Sequence, residues 1–305
     1  MYSRVEASKA YFIKLGREGR WEDDCLREGI LRIGYAQVPH LICLQGDWEA
    51  VRQFLKNEQF YPGVPQFHAT QIRIFYEARE DTVFITFAHG CMHWCQPSGP
   101  VEVLPNGERQ RGTVAGWNSA NIAGTPLAVA RLSGELRQVQ MFKGTICQVK
   151  PFDYLLRKLN NELSPELMEE DRLRQEYIRT TINLMRQLTW QDFEFLVEQV
   201  FSKSGYKLLN KVGGPQKTVD LELMLPATNE RAFVQVKSQA DQSSFRDYAK
   251  RFAKMDVFDR MFFVWHTGDL AEDDHVKNIE LVGPTRLAEM ILDAGLMQTL
   301  RDKVS

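Results

Sequence analysis

The sequence lacks the features that mark secreted, membrane-spanning and uniformly basic proteins. It has five cysteines in 305 residues, an odd number scattered along the chain, so we expect no disulfide framework and a cytoplasmic location. No apolar run approaches the length of a membrane span, and the stretch MYSRVEASKAYFIK has no apolar segment of the signal-peptide kind. The formal net charge is −2, so contact with nucleic-acid phosphates must come from local groups of lysine and arginine.

The composition is that of a globular protein long enough for two domains. Hydrophobic residues make up 44% of the chain and charged residues 26%, both ordinary fractions for a folded protein. The patterning divides the chain into an N-terminal domain at 1–160, a connecting helix at 161–188 and a C-terminal domain at 189–305. We expect no association with a membrane.

The most informative pattern is TWQDFEFLVEQVFSKSGYKLLNKVGGPQKTVDLELMLPATNERAFVQVK, residues 189–237. Thr189 followed by Asp192 has the form of a helix cap, and the apolar residues after it recur at helical spacing until Gly205. These features predict a helix from Trp190 to Ser204. A short strand should follow at 206–210, before turn residues that include Gly213, Gly214 and Pro215.

Two more strands follow, and their alternation predicts one polar face. From Val219 to Leu225 the apolar residues alternate with Asp220 and Glu222, which is the period of a half-buried strand. In the strand after the next turn, Gln235 and Lys237 share one face and valines occupy the other. We therefore expect Asp220, Gln235 and Lys237 to meet on one side of a hairpin.

An acidic residue on one strand, with an amide two residues before a lysine on the next, suits metal-dependent phosphodiester hydrolysis. Asp220 would hold Mg²⁺ through a hard oxygen, and the ion would polarise the phosphate and activate a water. Lys237 would orient that water or stabilise charge on the phosphate oxygens. Gln235 offers a neutral carbonyl, so Glu194, near the start of the helix, is the candidate for a second carboxylate. The alternative is a solvated strand face without chemistry.

The order of these elements resembles the catalytic core of the PD-(D/E)XK nuclease superfamily, and specifically its Mrr-like restriction endonuclease branch. The matching residues are Glu194 in DFEFLVEQVFSKSGY, Asp220 in TVDLEL, and Gln235 with Lys237 in FVQVKS. The stretch KTVD departs from the glycine-containing G-x-D of many relatives. The resemblance implies an α/β domain with an αβββαβ core, catalysis by these four residues, and Mg²⁺ or Mn²⁺ bound by Asp220, Gln235 and Glu194.

The chain after Lys237 continues as that core requires. A helix capped by Ser243 or Ser244 is predicted, followed by strands at 261–266 and 279–282 and a helix that opens with Pro284. The first of these helices carries basic residues away from its apolar face. They are candidate phosphate contacts, with a solvated face as the alternative: Arg246, Lys250, Arg251 and Lys254.

The N-terminal half has many short strands interrupted by glycine and proline. Its patterns predict strands that include 10–15, 31–35, 71–77, 82–87 and 137–149, with short helices at 21–27 and 47–55. This arrangement is typical of an α+β domain built on a small barrel-like sheet.

Two fragments of this half, YFIKLGREGRWEDDCLREGILRIGY and QIRIFYEAREDTVFITF, are similar to the start of PUA-like domains of the EVE kind. The resemblance implies a pocket of aromatic side chains that accepts a flipped or modified base. Its candidate walls are Trp21, Tyr35, Trp94 and Trp117. The alternative is that these residues are core, since tryptophans in a small barrel are usually buried.

A long helix is predicted from Pro165 to Gln187, and its apolar residues make it a candidate contact in a homodimer. The two resemblances imply a Mg²⁺-dependent DNA endonuclease of the modification-dependent or defence type, whose N-terminal domain selects base-modified DNA. Two alternatives stay open. A small signalling nucleotide or a partner protein bound to the N-terminal domain would gate the nuclease, or the protein would bind nucleic acid without cutting it.

Overall fold

The computed structural model describes residues 4–58, 64–210, 220–268, 270 and 277–305. The chain divides into two units, Met1–Pro165 and Glu166–Ser305. Across these described ranges, every helix is too short or too polar to span a bilayer.

The N-terminal unit combines two open sheets with short helices. The strands in its described residues are β1 Lys9–Ile13, β2 Ile30–Ile33, β3 Thr82–Ala88, β4 Cys91–Cys95, β5 Pro97–Val103, β6 Arg109–Thr113 and β7 Ile146–Gln148. The helices are α1 Glu22–Glu28, α2 His40–Leu44, α3 Trp48–Glu58, α4 Pro65–Glu77, α5 Gly134–Arg137 and α6 Phe152–Leu159. One sheet has the order β4-β3-β1-β7, with β1 and β3 parallel, and the other is the antiparallel sheet β2-β6-β5. The strands described here do not close into a barrel, so the predicted PUA-like barrel is not confirmed.

Two predicted strands of this unit are wrong. Residues 71–77 are the second half of α4, because Ala69, Ile72 and Phe75 recur at helical spacing and form its buried face, while Pro65 opens the helix at its first position. Residues 137–149 form the end of α5, a 3₁₀ turn and only the short strand β7. In both places a short apolar run fits the helical and the strand period, and the tertiary contacts decide between them.

A buried arginine joins α4 to the second sheet. Arg111 on β6 donates from Nη1 to the carbonyl oxygens of Phe75 and Ala78, at 2.9 and 3.0 Å, and from Nη2 to that of Gly99 at 3.0 Å. The last carbonyls of a helix have no partner within the helix, and a cation stabilises them. This contact fixes the end of α4 as a helix rather than a strand.

The C-terminal unit is a five-stranded sheet covered by helices. Its helices are α7 Pro165–Met185, α8 Trp190–Lys203, α9 Gln242–Phe252, α10 Pro284–Asp293 and α11 Met297–Val304, and its strands in the described residues are β8 Lys207–Asn210, β9 Leu221–Leu225, β10 Glu230–Gln239, β11 Arg260–Thr267 and β12 Ile279–Val282. The sheet order is β12-β11-β10-β9-β8, antiparallel from β8 to β10 and parallel from β10 to β12. The run from α8 to β11 is the expected αβββαβ core. The predictions for Gly213, Gly214, Pro215 and Val219 lie outside the described residues.

Alternation along β10 separates the two faces of this sheet. Ala232, Val234 and Val236 pack in one apolar cluster with the buried residues of α8. Phe233, between them, packs in a second cluster with Phe245 of α9. Because side chains alternate along a strand, Gln235 and Lys237 lie on the α9 face.

The caps of α8 and α9 agree only in part with those predicted from the sequence. Thr189 caps α8 as predicted, since its hydroxyl accepts a hydrogen bond from the Asp192 amide at 3.2 Å. The cap of α9 is Asp241 rather than Ser243 or Ser244. Its carboxylate accepts from the Ser244 amide at 2.7 Å, and the Ser244 hydroxyl accepts from the Asp241 amide at 3.1 Å. Serine and aspartate cap helices about equally well, and here the reciprocal pair selects the earlier residue.

Most of the predicted connecting helix belongs to the C-terminal unit. Ile178, Thr181 and Met185 of α7 are buried, and Ile178 and Met185 belong to the α8-side cluster. The residues from Glu166 to Tyr177 are exposed. The functional division at 1–160, 161–188 and 189–305 stays a prediction.

Replacement of Gly268 by alanine should unfold the end of the sheet beyond Lys237. Gly268 has φ +129°, and a Cβ at this position would lie 1.8 Å from the carbonyl oxygen of Ala240. We expect a loss of at least about 3 kcal/mol in the unfolding free energy. Gly295→Ala is the control, because Gly295 has φ +69° and open space around it, so its cost should be about 1 to 2 kcal/mol. Hydrogen exchange of the β10 and β11 amides measures both variants. Equal losses of protection in the two variants would contradict the steric requirement for glycine at Gly268.

Candidate active site

Asp220 and Gln235 face each other across the β9-β10 hairpin. The antiparallel register pairs Glu222 with Phe233 and Leu221 with Val234, and one further step places Asp220 opposite Gln235. The Asp220 carboxylate accepts hydrogen bonds from the Gln235 side-chain amide and from the backbone N–H of Val236, the latter at 2.7 Å. The predicted shared face of these two residues is therefore present in the structure.

The carbonyl oxygen of the Gln235 side chain is left without a partner. Gln235 is only 2% exposed, and its Oε1 is buried with no hydrogen bond among the described residues. An unsatisfied buried carbonyl costs about 1 to 3 kcal/mol, so such a group calls for an explanation. A carboxylate beside an amide oxygen is a hard donor set of the kind that Mg²⁺ prefers, and Mg²⁺ completes its shell with water and substrate phosphate. The two residues therefore fit a divalent ion.

Lys237 lies two residues beyond Gln235 on the same face of β10. It is half-buried, and its ammonium lies 5.1 Å from the ring centroid of Tyr248 on α9. The guanidinium of Arg251 lies at the same distance from that ring. A carboxylate, a buried amide and a lysine thus share one face of the sheet, which is the donor and charge pattern of a metal-assisted phosphodiesterase.

The comparison with known families agrees with this geometry. Residues 185–291 match the model of the Mrr catalytic domain, whose description is restriction endonuclease. This segment is an Mrr-type restriction endonuclease domain. No curated protein and no solved structure matches the chain. The match contains Asp220, Gln235 and Lys237 and leaves out the whole N-terminal unit.

The domain supports nuclease activity with DNA as substrate, and nucleases of this family generally use divalent metal ions. Among the described residues no group of three or more histidine, cysteine or acidic side chains is arranged to hold a metal. The described part of the endonuclease site therefore offers one carboxylate and one amide on the α9 face. The catalytic and metal-binding roles of Asp220, Gln235 and Lys237 stay predictions.

Glu194, the predicted further carboxylate, belongs to a helix on the other face of the sheet. It is half-buried on α8, and the apolar residues of α8 pack against Ala232, Val234 and Val236 rather than against the Gln235 side. The role of Glu194 stays a prediction.

His266 of the endonuclease domain lies at the end of β11 on the α8 face. Its ring contacts Phe193 edge to face with centroids 4.5 Å apart, and Nδ1 lies 2.9 Å from the Thr267 hydroxyl. Burial lowers the pKa of His266 below its ordinary value, and nearby Arg186 lowers it further. The imidazole is therefore neutral near pH 7, and its packing is that of a core residue.

The four basic residues predicted to contact phosphate are all exposed on or just after α9: Arg246, Lys250, Arg251 and Lys254. The shared Tyr248 ring brings Arg251 next to Lys237. Contact of the four residues with DNA stays a prediction. Tyr248 is not among the site residues predicted from the sequence, and its position three residues before Arg251 on α9 is the signal that points to it.

The aromatic residues proposed as a base pocket do not come together as a set of four. Trp21 and Tyr35 line one cavity of about 890 Å³ in the N-terminal unit. Trp94 lines a different cavity of about 160 Å³, and its indole N–H donates to the Ala120 carbonyl at 2.9 Å. The indole N–H of Trp117 donates to the Ile30 carbonyl at 2.8 Å. Two of the four therefore line one cavity, and their role in binding a base stays a prediction.

Proposed function

We propose that the chain is a Mg²⁺-dependent DNA endonuclease whose reaction takes place at Asp220, Gln235 and Lys237. The buried Oε1 of Gln235 beside the Asp220 carboxylate is the observation that supports the proposal most strongly. Gln235 Oε1 has no hydrogen-bond partner among the described residues and lies next to the charged carboxylate of Asp220. The two groups together supply two ligands for the ion. Mn²⁺ should replace Mg²⁺, since both accept oxygen ligands.

Each residue has a distinct task in this proposal. Asp220 and Gln235 hold the ion, and the Val236 amide fixes the carboxylate through its 2.7 Å hydrogen bond. Lys237 donates to a phosphate oxygen or to the attacking water and so stabilises charge that develops in the transition state. When bound, Mg²⁺ polarises the phosphate and lowers the pKa of the water. An inactive nucleic-acid-binding role is less well supported, because it leaves the orphaned oxygen unexplained.

We also propose that the N-terminal unit selects DNA that carries a modified base. The cavity of about 890 Å³ lies within the usual size range of ligand sites. Phe12, Trp21 and Tyr35 form buried walls, and the basic residues of its lining suit a phosphate: Lys14, Arg17, Arg20 and Lys143. Tyr35 has φ +66°, a conformation that costs a bulky residue energy and that clusters at functional sites.

A free nucleotide is the second candidate ligand of this cavity, because its ring and phosphate would meet the same walls and the same cations. Bound there, it would gate the endonuclease domain. Incubation of the purified protein and Mg²⁺ with unmodified and base-modified phage DNA separates the two proposals. Cleavage restricted to modified DNA supports selection of a modified base by the N-terminal unit. Cleavage of both DNAs only after a nucleotide is added supports control of the endonuclease domain by a bound nucleotide.

We further propose that two copies act together on duplex DNA. One centre cuts one strand per engagement, so a double-strand break in one step needs two. Exposed apolar residues on the first half of α7 offer a contact: Leu167, Met168, Leu173 and Tyr177, each about half exposed.

Light scattering should show a dimer of the full-length protein with DNA, and Leu173→Glu should weaken it. Val257→Glu is the matched control, because Val257 is an apolar residue of similar exposure between α9 and β11. A strict monomer that makes double-strand breaks in one step would contradict the proposal.

A further inference from the structure

The ring of Tyr248 brings two cations of the endonuclease domain together. Lys237 Nζ and Arg251 Cζ each lie 5.1 Å from its centroid, within the distance at which a cation is attracted to an aromatic face. Because both distances are measured from one point, the two charges are at most about 10 Å apart, twice 5.1 Å. The distance is short enough for both to act on one stretch of DNA backbone.

The partner of Lys237 is a ring rather than a carboxylate. In the part of the chain that the structure describes, no acidic side chain forms a salt bridge with Lys237. A lysine side chain has a flexible four-carbon stem, so an ammonium without a restraint samples many positions. A carboxylate would restrain it but would also neutralise it. The π face of Tyr248 restrains the ammonium and leaves its charge for a phosphate.

We propose that Tyr248 is a positioning residue of the cleavage reaction. Its ring holds the Lys237 ammonium over the site of the scissile phosphodiester and sets Arg251 beside it, on the phosphate backbone of the same strand. Arg251 follows Tyr248 by three residues and so lies on the same side of α9, whereas Arg246 and Lys250 are each two residues away and point elsewhere. The inference rests on the proposed function, since it assigns a role within that reaction.

The test compares two substitutions of Tyr248 in the full-length protein. Tyr248→Phe keeps the ring and should keep kcat within about twofold of the wild type. Tyr248→Leu removes the ring and should lower kcat about 5- to 30-fold, the equivalent of one cation–π contact, with a smaller change in KM. Rescue by phenylalanine separates the role of the ring from that of the hydroxyl.

Phe252→Leu is the matched structural control. Phe252 lies one turn after Tyr248 on α9, is half-buried, and packs on Phe233 with centroids 5.8 Å apart. No cation lies over its ring among the described residues. Its substitution should destabilise α9 as Tyr248→Leu does and leave kcat unchanged. A fall in kcat of equal size in Phe252→Leu would overturn the inference, because packing alone would then explain both.

A nuclear magnetic resonance measurement distinguishes the failure of this inference from the failure of the proposed function. The εCH₂ signal of Lys237, assigned by its loss in Lys237→Arg, should lie upfield of exposed lysines in the wild type and in Tyr248→Phe, and should move to the ordinary position in Tyr248→Leu. If the signal moves and Tyr248→Leu still cuts DNA at the wild-type rate, the positioning role is wrong and the nuclease stands. If the wild type cuts no DNA with Mg²⁺ or Mn²⁺, the proposed function fails and the positioning role fails with it.

Discussion

Replacement of Asp220 by alanine is expected to reduce the initial rate of DNA cleavage by at least about 100-fold, because it removes the only carboxylate that the described residues place beside Gln235. Lys237→Ala should reduce kcat by a similar factor through the loss of transition-state charge stabilisation. Both residues are only partly buried, so hydrogen exchange across the sheet should change little. Nicking of supercoiled plasmid at saturating Mg²⁺ measures the rates.

Glu222→Ala is the control for the Asp220 substitution. Glu222 lies two residues further along the same face of the hairpin, is half-buried, and pairs loosely with Arg231 at 4.0 Å. The Glu222→Ala substitution removes the same carboxylate charge from the same hairpin, yet it should leave cleavage near the wild-type rate. If Asp220→Ala cuts as fast as the wild type, or if Glu222→Ala is equally damaged, the assignment of the site is wrong.

The second large effect is expected in the N-terminal unit, where Trp21→Ala should weaken binding of the selected DNA or nucleotide several-fold to about a hundredfold. Stacking of one base on an aromatic ring is worth about 1 to 3 kcal/mol, and Trp21 is a wall of the cavity of about 890 Å³. Trp94→Ala is the control, because Trp94 lies on a different cavity and is equally buried. Fluorescence anisotropy of labelled DNA measures both variants.

Trp21 is also part of the apolar core, with only 9% of its surface exposed, so stability must be measured beside binding. A purely structural Trp21 would lower the melting temperature and leave the affinity of the folded fraction unchanged. A wall of the binding site would lower the affinity of the folded fraction as well. If the isolated fragment 1–160 binds neither modified DNA nor free nucleotides, selection of modified DNA and gating by a nucleotide are both wrong, and binding of a partner protein is the remaining role. A fragment from Ser164 should retain weak, nonselective cleavage.

The site on the sheet was predictable because it depends on short-range rules. Side chains alternate along strands, and the spacing of Asp220 from Gln235 leaves room for one hairpin turn, so their shared face follows from period and register. Tyr248 was not predictable in the same way. Its contact with Lys237 depends on how α9 is rotated against the sheet, and this rotation is set by the cluster around Phe245.

The N-terminal half shows where local patterns fail. Residues 71–77 alternate well enough for a strand, but the buried face that continues back to Ala69 and the contacts of Arg111 make them helical. The membership of the proposed pocket could not be predicted either, since the sequence identifies aromatic side chains but not which of them share a cavity. Trp21 and Tyr35 converge because β1, β2 and the turn at Gly16 enclose one space. The indole N–H groups of Trp94 and Trp117 instead donate hydrogen bonds to backbone carbonyl oxygens.

The dependence of the nicking rate on Mg²⁺ concentration tests whether the cleavage reaction needs a metal ion at Asp220 and Gln235. For the full-length protein on the DNA it selects, we predict no cleavage in EDTA, a rate that rises with Mg²⁺ to saturation, and recovery with Mn²⁺. In Asp220→Asn the curve should move to higher Mg²⁺ concentration, because the ligand keeps its shape and loses its charge. A rate that is the same with EDTA as with Mg²⁺, or a curve that Asp220→Asn leaves unchanged, would contradict a metal-dependent reaction at Asp220 and Gln235.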